Sequence, residues 1–131
     1  MNFSEEELNK MIKFSFGDSP ELADELLALV LSGAKTATCS AKRDFSDSYP
    51  MPHVGRRDIA LDSKKVPRCV IETTEVTIKR FDEVDEDFAV AEGEGPYEKW
   101  RREHEAYFER NGGFSEDLIV VCERFKVVCF L

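Results

Sequence analysis

The sequence contains no C-x-x-C pair. Its four cysteines, Cys39, Cys69, Cys122 and Cys129, are scattered, and three of them lie in apolar, strand-like segments where a free thiol behaves as a small hydrophobe. Disulfides are not expected, which suits a reducing compartment. No apolar run approaches the roughly 18–20 residues that a membrane-spanning helix needs, and the opening MNFSEEELNK is acidic where a secretory leader would be basic. The expected location is the cytoplasm, with no membrane partner. A Walker-type loop and a G-x-G-x-x-G are both missing, so phosphate cradles of those kinds are excluded. His53 and His104 are the only histidines, and neither has a second His or Cys at metal spacing, so no metal and no cofactor is expected. Internal repeats and low-complexity linkers are absent as well.

Positive charge is the scarcer sign, with 18 Lys and Arg against 27 Asp and Glu, a net charge of −9. Such a chain repels phosphate backbones on average, so extended coating of DNA or long RNA is excluded and any nucleic-acid contact must be local. What the sequence does have is a 42% hydrophobic fraction, a 34% charged fraction and ten Phe in 131 residues, enough for one hydrophobic core and too little for two. One domain over residues 1–131 is expected, with 1–13 as a leading helix and 14–131 as its body.

Ser4 and Glu7 have capping-box spacing, and Leu8, Met11 and Ile12 share a helical face, which predicts a helix over 5–13. Asp18 or Ser19 can cap a second helix, Pro20 suits its first position, Leu22, Leu26, Leu27 and Val30 form its apolar stripe, and Gly33 can end it, giving 20–32. Residues 35–40 are Thr-rich and strand-like, and 46–55 read as a loop. Residues 57–62 and 68–79 alternate around a Ser63-Lys64-Lys65 turn, a hairpin pattern. An acidic stretch then holds a short helix near 85–91 and a second over 97–110, ended by Asn111-Gly112-Gly113, before a β-rich run from Leu118 to Leu131. Strands at irregular intervals with one hairpin predict an α+β domain, a small mixed β-barrel with flanking helices.

Period-two alternation places Glu123 on a face with Ile119, Val121, Phe125, Val127 and Cys129, and Glu72 on a face with Val70, Thr74, Val76 and Ile78. A carboxylate on an apolar face is paired, protonated or lining a polar cavity. Glu72 and Glu123 are therefore candidates for one interior, or each is half of an ion pair with an arginine such as Arg68 or Arg124. On the 97–110 helix, Tyr97, Trp100, His104, Tyr107 and Phe108 form one stripe, which either packs as core or stacks a base. Trp100 is expected in packing, while His104 suits either role.

The segment Gly33-Ala34-Lys35-Thr36-Ala37-Thr38 sets a lysine and two hydroxyls just past a helix C-terminus. A lysine in a semi-apolar pocket loses proton affinity and can serve as general base to a neighbouring hydroxyl. The alternative is a solvated lysine favoured by the helix dipole, beside threonines selected for β-propensity. In a regular strand positions 35 and 38 face opposite ways, so their convergence requires Lys35 in the preceding turn or a bulge.

Phe16-Gly17-Asp18-Ser19-Pro20, Gly33-x-Lys35-x-x-Thr38, Glu72-Thr73-Thr74-Glu75-Val76, Phe81-x-x-Val84, Phe88-Ala89-x-Ala91-Glu92-Gly93-Glu94-Gly95, Trp100-Arg101-x-x-His104 and Val121-Cys122-Glu123-Arg124-Phe125 together resemble the ASCH domain family, in particular a larger bacterial subgroup. The resemblance covers nearly the whole chain after residue 14. It implies a PUA-like β-barrel with flanking helices, a cleft between them, and a role in RNA or nucleotide metabolism. One bacterial branch of the family resembles amidohydrolases that deacetylate N4-acetylcytidine with a lysine, a threonine and a glutamate. The matching positions are Lys35, Thr38 and Glu92, which implies Thr38 as nucleophile, Lys35 as its base, and Glu92 orienting Lys35 or moving a proton to the leaving amine. Thr36, Ser40, Arg43, Glu72, Trp100, His104 and Glu123 are the candidates for binding a nucleoside or short RNA. Two other readings stand beside this one. The first is a non-catalytic RNA-binding module with Lys35, Lys42, Arg43, Arg56 and Arg57 as a local basic rim. The second is a ribonuclease in which Lys35 stabilises phosphate and His104 or a carboxylate moves protons.

Overall fold

The computed structural model describes residues 1–131. Ser4 and Glu7 close their capping box: Ser4 Oγ accepts from the Glu7 N–H at 3.1 Å, and Glu7 Oε1 accepts from the Ser4 N–H at 2.9 Å. The helix they start, α1, is Glu5–Asn9, shorter than the expected 5–13. Ile12–Phe14 is instead a strand, β1, paired in parallel with residues 58–60. Extended backbone here carries Phe14 and Phe16 toward the core together, where their rings meet edge-on at 4.9 Å and Phe16 reaches Phe125 at 6.1 Å.

Helix α2 is Pro20–Ser32; Ser19 Oγ accepts from the Leu22 N–H at 3.1 Å, and Gly33, with φ of 85°, ends it. Ala23, Leu26, Leu27 and Val30 are its buried face. Strand β2 (Ala37–Ala41) follows, then a long loop, then the hairpin of β3 (Arg57–Leu61) and β4 (Pro67–Arg80). Helices α3 (Glu86–Ala91) and α4 (Tyr97–Arg110) precede the last strand, β5 (Ile119–Phe130).

The five strands form one sheet in the order β1-β3-β4-β5-β2, with only β1 and β3 parallel. The sheet curls into a half-barrel whose edges, β1 and β2, do not pair with each other. Irregularities in the β4/β5 register at Val70/Ile71 and at Thr73/Glu75 supply the local bend that curling requires. Two apolar clusters hold the helices in place. Leu26, Leu27 and Val30 of α2 pack with Ala60, Cys69, Ile71 and Phe125, while Phe88, Trp100 and Phe108 of α3 and α4 pack with Ala37, Cys39, Val120 and Cys122. All four cysteines are free thiols. No helix is long and apolar enough to cross a membrane.

Candidate functional site

The site begins where two chain reversals press together. After Gly33, the Lys35 N–H donates to the Leu29 carbonyl at 3.1 Å and the Thr36 N–H to the Ala91 carbonyl at 2.7 Å. Lys35 thus sits in the turn before β2, where strand alternation does not set its direction, and it reaches the same cavity as Thr38. On the other side, Glu92 caps α3 and Gly93 turns the chain with φ of 72°. A Cβ on Gly93 would stand 2.4 Å from the Ala34 carbonyl oxygen, so only glycine lets the two backbones approach this closely.

This contact places Lys35, 2% exposed, against two carboxylates. Its Nζ donates to Glu92 Oε1 at 3.0 Å and to Glu94 Oε2 at 3.2 Å. Glu92 Oε2 accepts from Trp100 Nε1 at 2.6 Å and lies 3.3 Å from His104 Nε2. His104 Nδ1 is 2.9 Å from the Trp100 carbonyl, and the two rings stack at 4.4 Å. Both imidazole nitrogens therefore face acceptors, an arrangement that only the doubly protonated ring satisfies. Two cations and two carboxylates balance within this buried network.

Burial alone would lower the proton affinity of Lys35, as the sequence suggested, but Glu92 and Glu94 reverse that and raise its pKa above the usual lysine value. Lys35 is an ammonium in the resting site and not a free base. Burial likewise pushes Glu92 up, and Lys35 and His104 overcome it, holding the carboxyl at about 2. At Glu94 the balance falls the other way: burial, with repulsion from Glu92, outweighs Lys35 and leaves its pKa raised. For His104, burial works against the charge and Glu92 wins, so its pKa lies above 6.5. A raised folded pKa contributes stability that is complete below the unfolded value and fades as pH climbs through the folded one. The stability gap between wild type and His104→Gln, measured by urea unfolding, is thus expected to be constant up to roughly pH 6.5 and to shrink above it. A gap that widens with pH would mean that the imidazole is neutral.

The network forms one wall of a cavity of about 680 Å³, the size of a small-molecule site. Of the residues singled out from the sequence, Lys35, Thr38, Ser40, Glu92, His104 and Glu123 line it. Thr38 is directly opposite Glu123 in the β2/β5 register, so the two side chains share a face. Four candidates lie elsewhere. Thr36 Oγ1 donates to the Ala91 carbonyl at 3.4 Å and ties the two reversals together. Arg43 Nη2 donates to the Phe108, Asn111 and Gly113 carbonyls, at 2.7 Å for the last, satisfying the open end of α4. Trp100, 1% exposed, is core and reaches the site only through its bond to Glu92. Glu72 pairs with Arg57 at 3.0 Å and Lys126 at 3.7 Å. The first half of β4 is covered on both faces, so alternation could not tell which face held the cavity; it is Ile71 that lines it.

The sequence reading missed Glu94, Asp58 and Tyr49, all of which line the cavity, as does Arg56, which it placed in a basic rim. Glu94 could have been found from its position two residues past Glu92 in the same turn. Asp58 left a fainter trace, a charge inside the apolar-alternating segment of β3. Arg57, once assigned to a basic rim, also lies outside, stacking on Phe3 at 5.2 Å. The lining residues include Glu25, Asp44, Asp58, Glu92, Glu94, Glu103 and Glu123 against Lys35, Arg56, Lys99 and Arg110, an excess of negative charge that disfavours a polyphosphate. Glu92, Glu94 and His104 also bring ligand atoms within 4.8 Å of one another. Lys35 Nζ already bonds both carboxylates and both His104 nitrogens are engaged, so this donor set fits an internal charge network better than a cation site.

A family model described as ASCH domain matches residues 12–129. Among solved structures, a protein from Enterococcus faecalis V583 is 36% identical with a TM-score of 0.83, over 91% of this chain and 77% of that one. An ASCH domain from Lactobacillus crispatus JV V101 is 33% identical with a TM-score of 0.83, over 97% and 87% of the two chains. A mutant of an ASCH protein from Zymomonas mobilis, 14% identical with a TM-score of 0.57 over 88% and 67%, shares the fold. Among curated proteins no match was found. With the family model spanning nearly the whole chain and two relatives above 30% identity, the protein belongs to the ASCH domain family.

Proposed function

We propose that the cavity binds a nucleoside, free or presented by a short stretch of RNA, and that the protein hydrolyses an amide on its base, of the N4-acetylcytidine kind. The observation that carries this reading is the meeting, in one cavity, of a buried ammonium, a hydroxyl and a carboxylate of raised proton affinity: Lys35, Thr38 and Glu94. Thr38 Oγ1 attacks the amide carbonyl and passes its proton to Glu94. The negative charge that develops on the carbonyl oxygen is stabilised by the Lys35 ammonium, which Glu92 holds in place from 3.0 Å. Glu94 then returns the proton to the departing amine nitrogen as the C–N bond breaks, and water releases the acyl group from Thr38. The acidic lining favours an uncharged nucleoside over an extended RNA track, because Arg43 and Arg57 are engaged elsewhere and no continuous basic rim forms.

The test is incubation of the purified protein with N4-acetylcytidine. Wild type is expected to release cytidine, and Thr38→Val, which keeps the side-chain shape, to lose at least about 100-fold in rate with its melting temperature retained. Absence of cytidine, or equal turnover by both proteins, would remove the hydrolase reading.

A further inference from the structure

The same cavity has a second polar end, built on β3 and β5, that the chemistry above does not use. Asp58 is 3% exposed. Its Oδ2 accepts from Arg56 Nε at 3.0 Å and lies 3.0 Å from Arg56 Nη2 in an ion pair, while Oδ1 is the one buried side-chain polar atom in the chain without a hydrogen-bond partner. Arg56 cannot swing round to serve it, since Nη1 is tied to the Pro50 and Met51 carbonyls at 3.0 and 2.9 Å. A buried acceptor left open in this way loses its water without gaining a bond, an expense that a ligand's N–H would offset.

Two neighbours suggest what the ligand is. Phe45 and Tyr49 also line the cavity, stacked at 5.5 Å with an interplanar angle of 1°, and such rings offer a planar ligand an apolar face. Glu123 uses Oε2 to accept the Thr73 hydroxyl at 2.6 Å. Burial outweighs the Thr73 hydroxyl and raises its proton affinity, and Asp58 is near enough to add to the rise.

We infer that Asp58 Oδ1 reads the base by accepting from an exocyclic N–H, so that the cavity selects amino-bearing bases, cytosine and adenine, against their keto counterparts, uracil and hypoxanthine. The inference rests on the reading that the cavity takes a nucleoside and adds which edge it recognises. In cytosine and adenine the exocyclic group is a donor that Asp58 Oδ1 can accept from; in uracil and hypoxanthine it is an acceptor that would face the same oxygen. The geometry also dictates the outcome of Asp58→Asn. Arg56 Nε requires an acceptor at the Oδ2 position, so the amide oxygen must go there, and the NH₂ replaces the Oδ1 acceptor with a donor.

Titration calorimetry with cytidine, uridine, adenosine and inosine tests this on wild type and Asp58→Asn. Wild type is expected to bind the amino member of each pair at least about tenfold tighter, the factor that one such bond supplies. Asp58→Asn is expected to erase or invert both preferences. Binding of all four within about threefold of one another would overturn the inference and leave the nucleoside reading standing, as would a folded Asp58→Asn that keeps the wild-type preferences. Binding of none would overturn both. If Asp58→Asn does not fold, the wild-type panel alone decides.

Discussion

Glu92→Gln is expected to lower the unfolding free energy by about 3–5 kcal/mol near neutral pH, the cost of removing one partner from a buried ion pair, and the melting temperature by on the order of 10 °C for a chain of this size. The carboxylate is 1% exposed and receives donors on both oxygens: Lys35 on Oε1, Trp100 on Oε2, with His104 beside it. Glutamine offers only one acceptor oxygen. Whichever way its amide turns, an NH₂ group faces either an ammonium or an indole N–H, so the loss of charge is accompanied by a clash of donors. The effect should also depend on pH with a sign opposite to that of His104. The Glu92 carboxyl is depressed from 4.5 to about 2, so its contribution is complete above the unfolded value and disappears as pH falls toward 2, a swing of about 3 kcal/mol. Urea unfolding from pH 2 to 7 should show the wild-type and mutant curves converging at the acid end. A gap under about 1 kcal/mol at neutral pH would mean that the pair is solvated. Adding Lys35→Met to Glu92→Gln should cost less than the two single changes summed, because cation and anion then leave together.

The parts of this fold that were legible in the sequence are those decided by local chemistry. Helix α2 runs from Pro20 to Ser32 as its capping serine, N-terminal proline and C-terminal glycine require, and β3 and β4 pair as a hairpin across the Ser63-Lys64-Lys65 turn. Strand β1 was not legible, because three residues carry no period of their own and become a strand only where residues 58–60 offer a partner. The candidate site divides in the same way. Lys35, Thr38 and Glu92 were identifiable through the family resemblance. Lys35's protonation was not, since it depends on Glu92 and Glu94 arriving from 57 and 59 positions away. Arg43 and Glu72 were misplaced for a related reason: a charge in a sequence does not reveal whether it will meet a ligand, a helix end or another charge.

Gly93→Ala is expected to destabilise the protein by about 3 kcal/mol or more, combining the cost of about 1–2 kcal/mol for a left-handed backbone in an L-residue with a severe overlap. The added Cβ would lie 2.4 Å from the Ala34 oxygen and 2.8 Å from its carbonyl carbon, and neither is the movable end of a flexible side chain. Relief requires the 33–36 turn to withdraw from the end of α3. That withdrawal breaks the Thr36 N–H bond to Ala91 at 2.7 Å and pulls the Lys35 amine from Glu92. Gly33→Ala supplies the comparison, because Gly33 also has a positive φ, 85°, but nothing lies within 4 Å of its Cβ position. It should cost only the backbone strain of about 1–2 kcal/mol and should keep the cavity intact. Chemical denaturation of the two variants, with cytidine binding measured on each, therefore separates backbone conformation from close approach. Equal losses at both glycines would show that the two reversals are not in contact, and with that contact would go the placement of Lys35 beside its carboxylates.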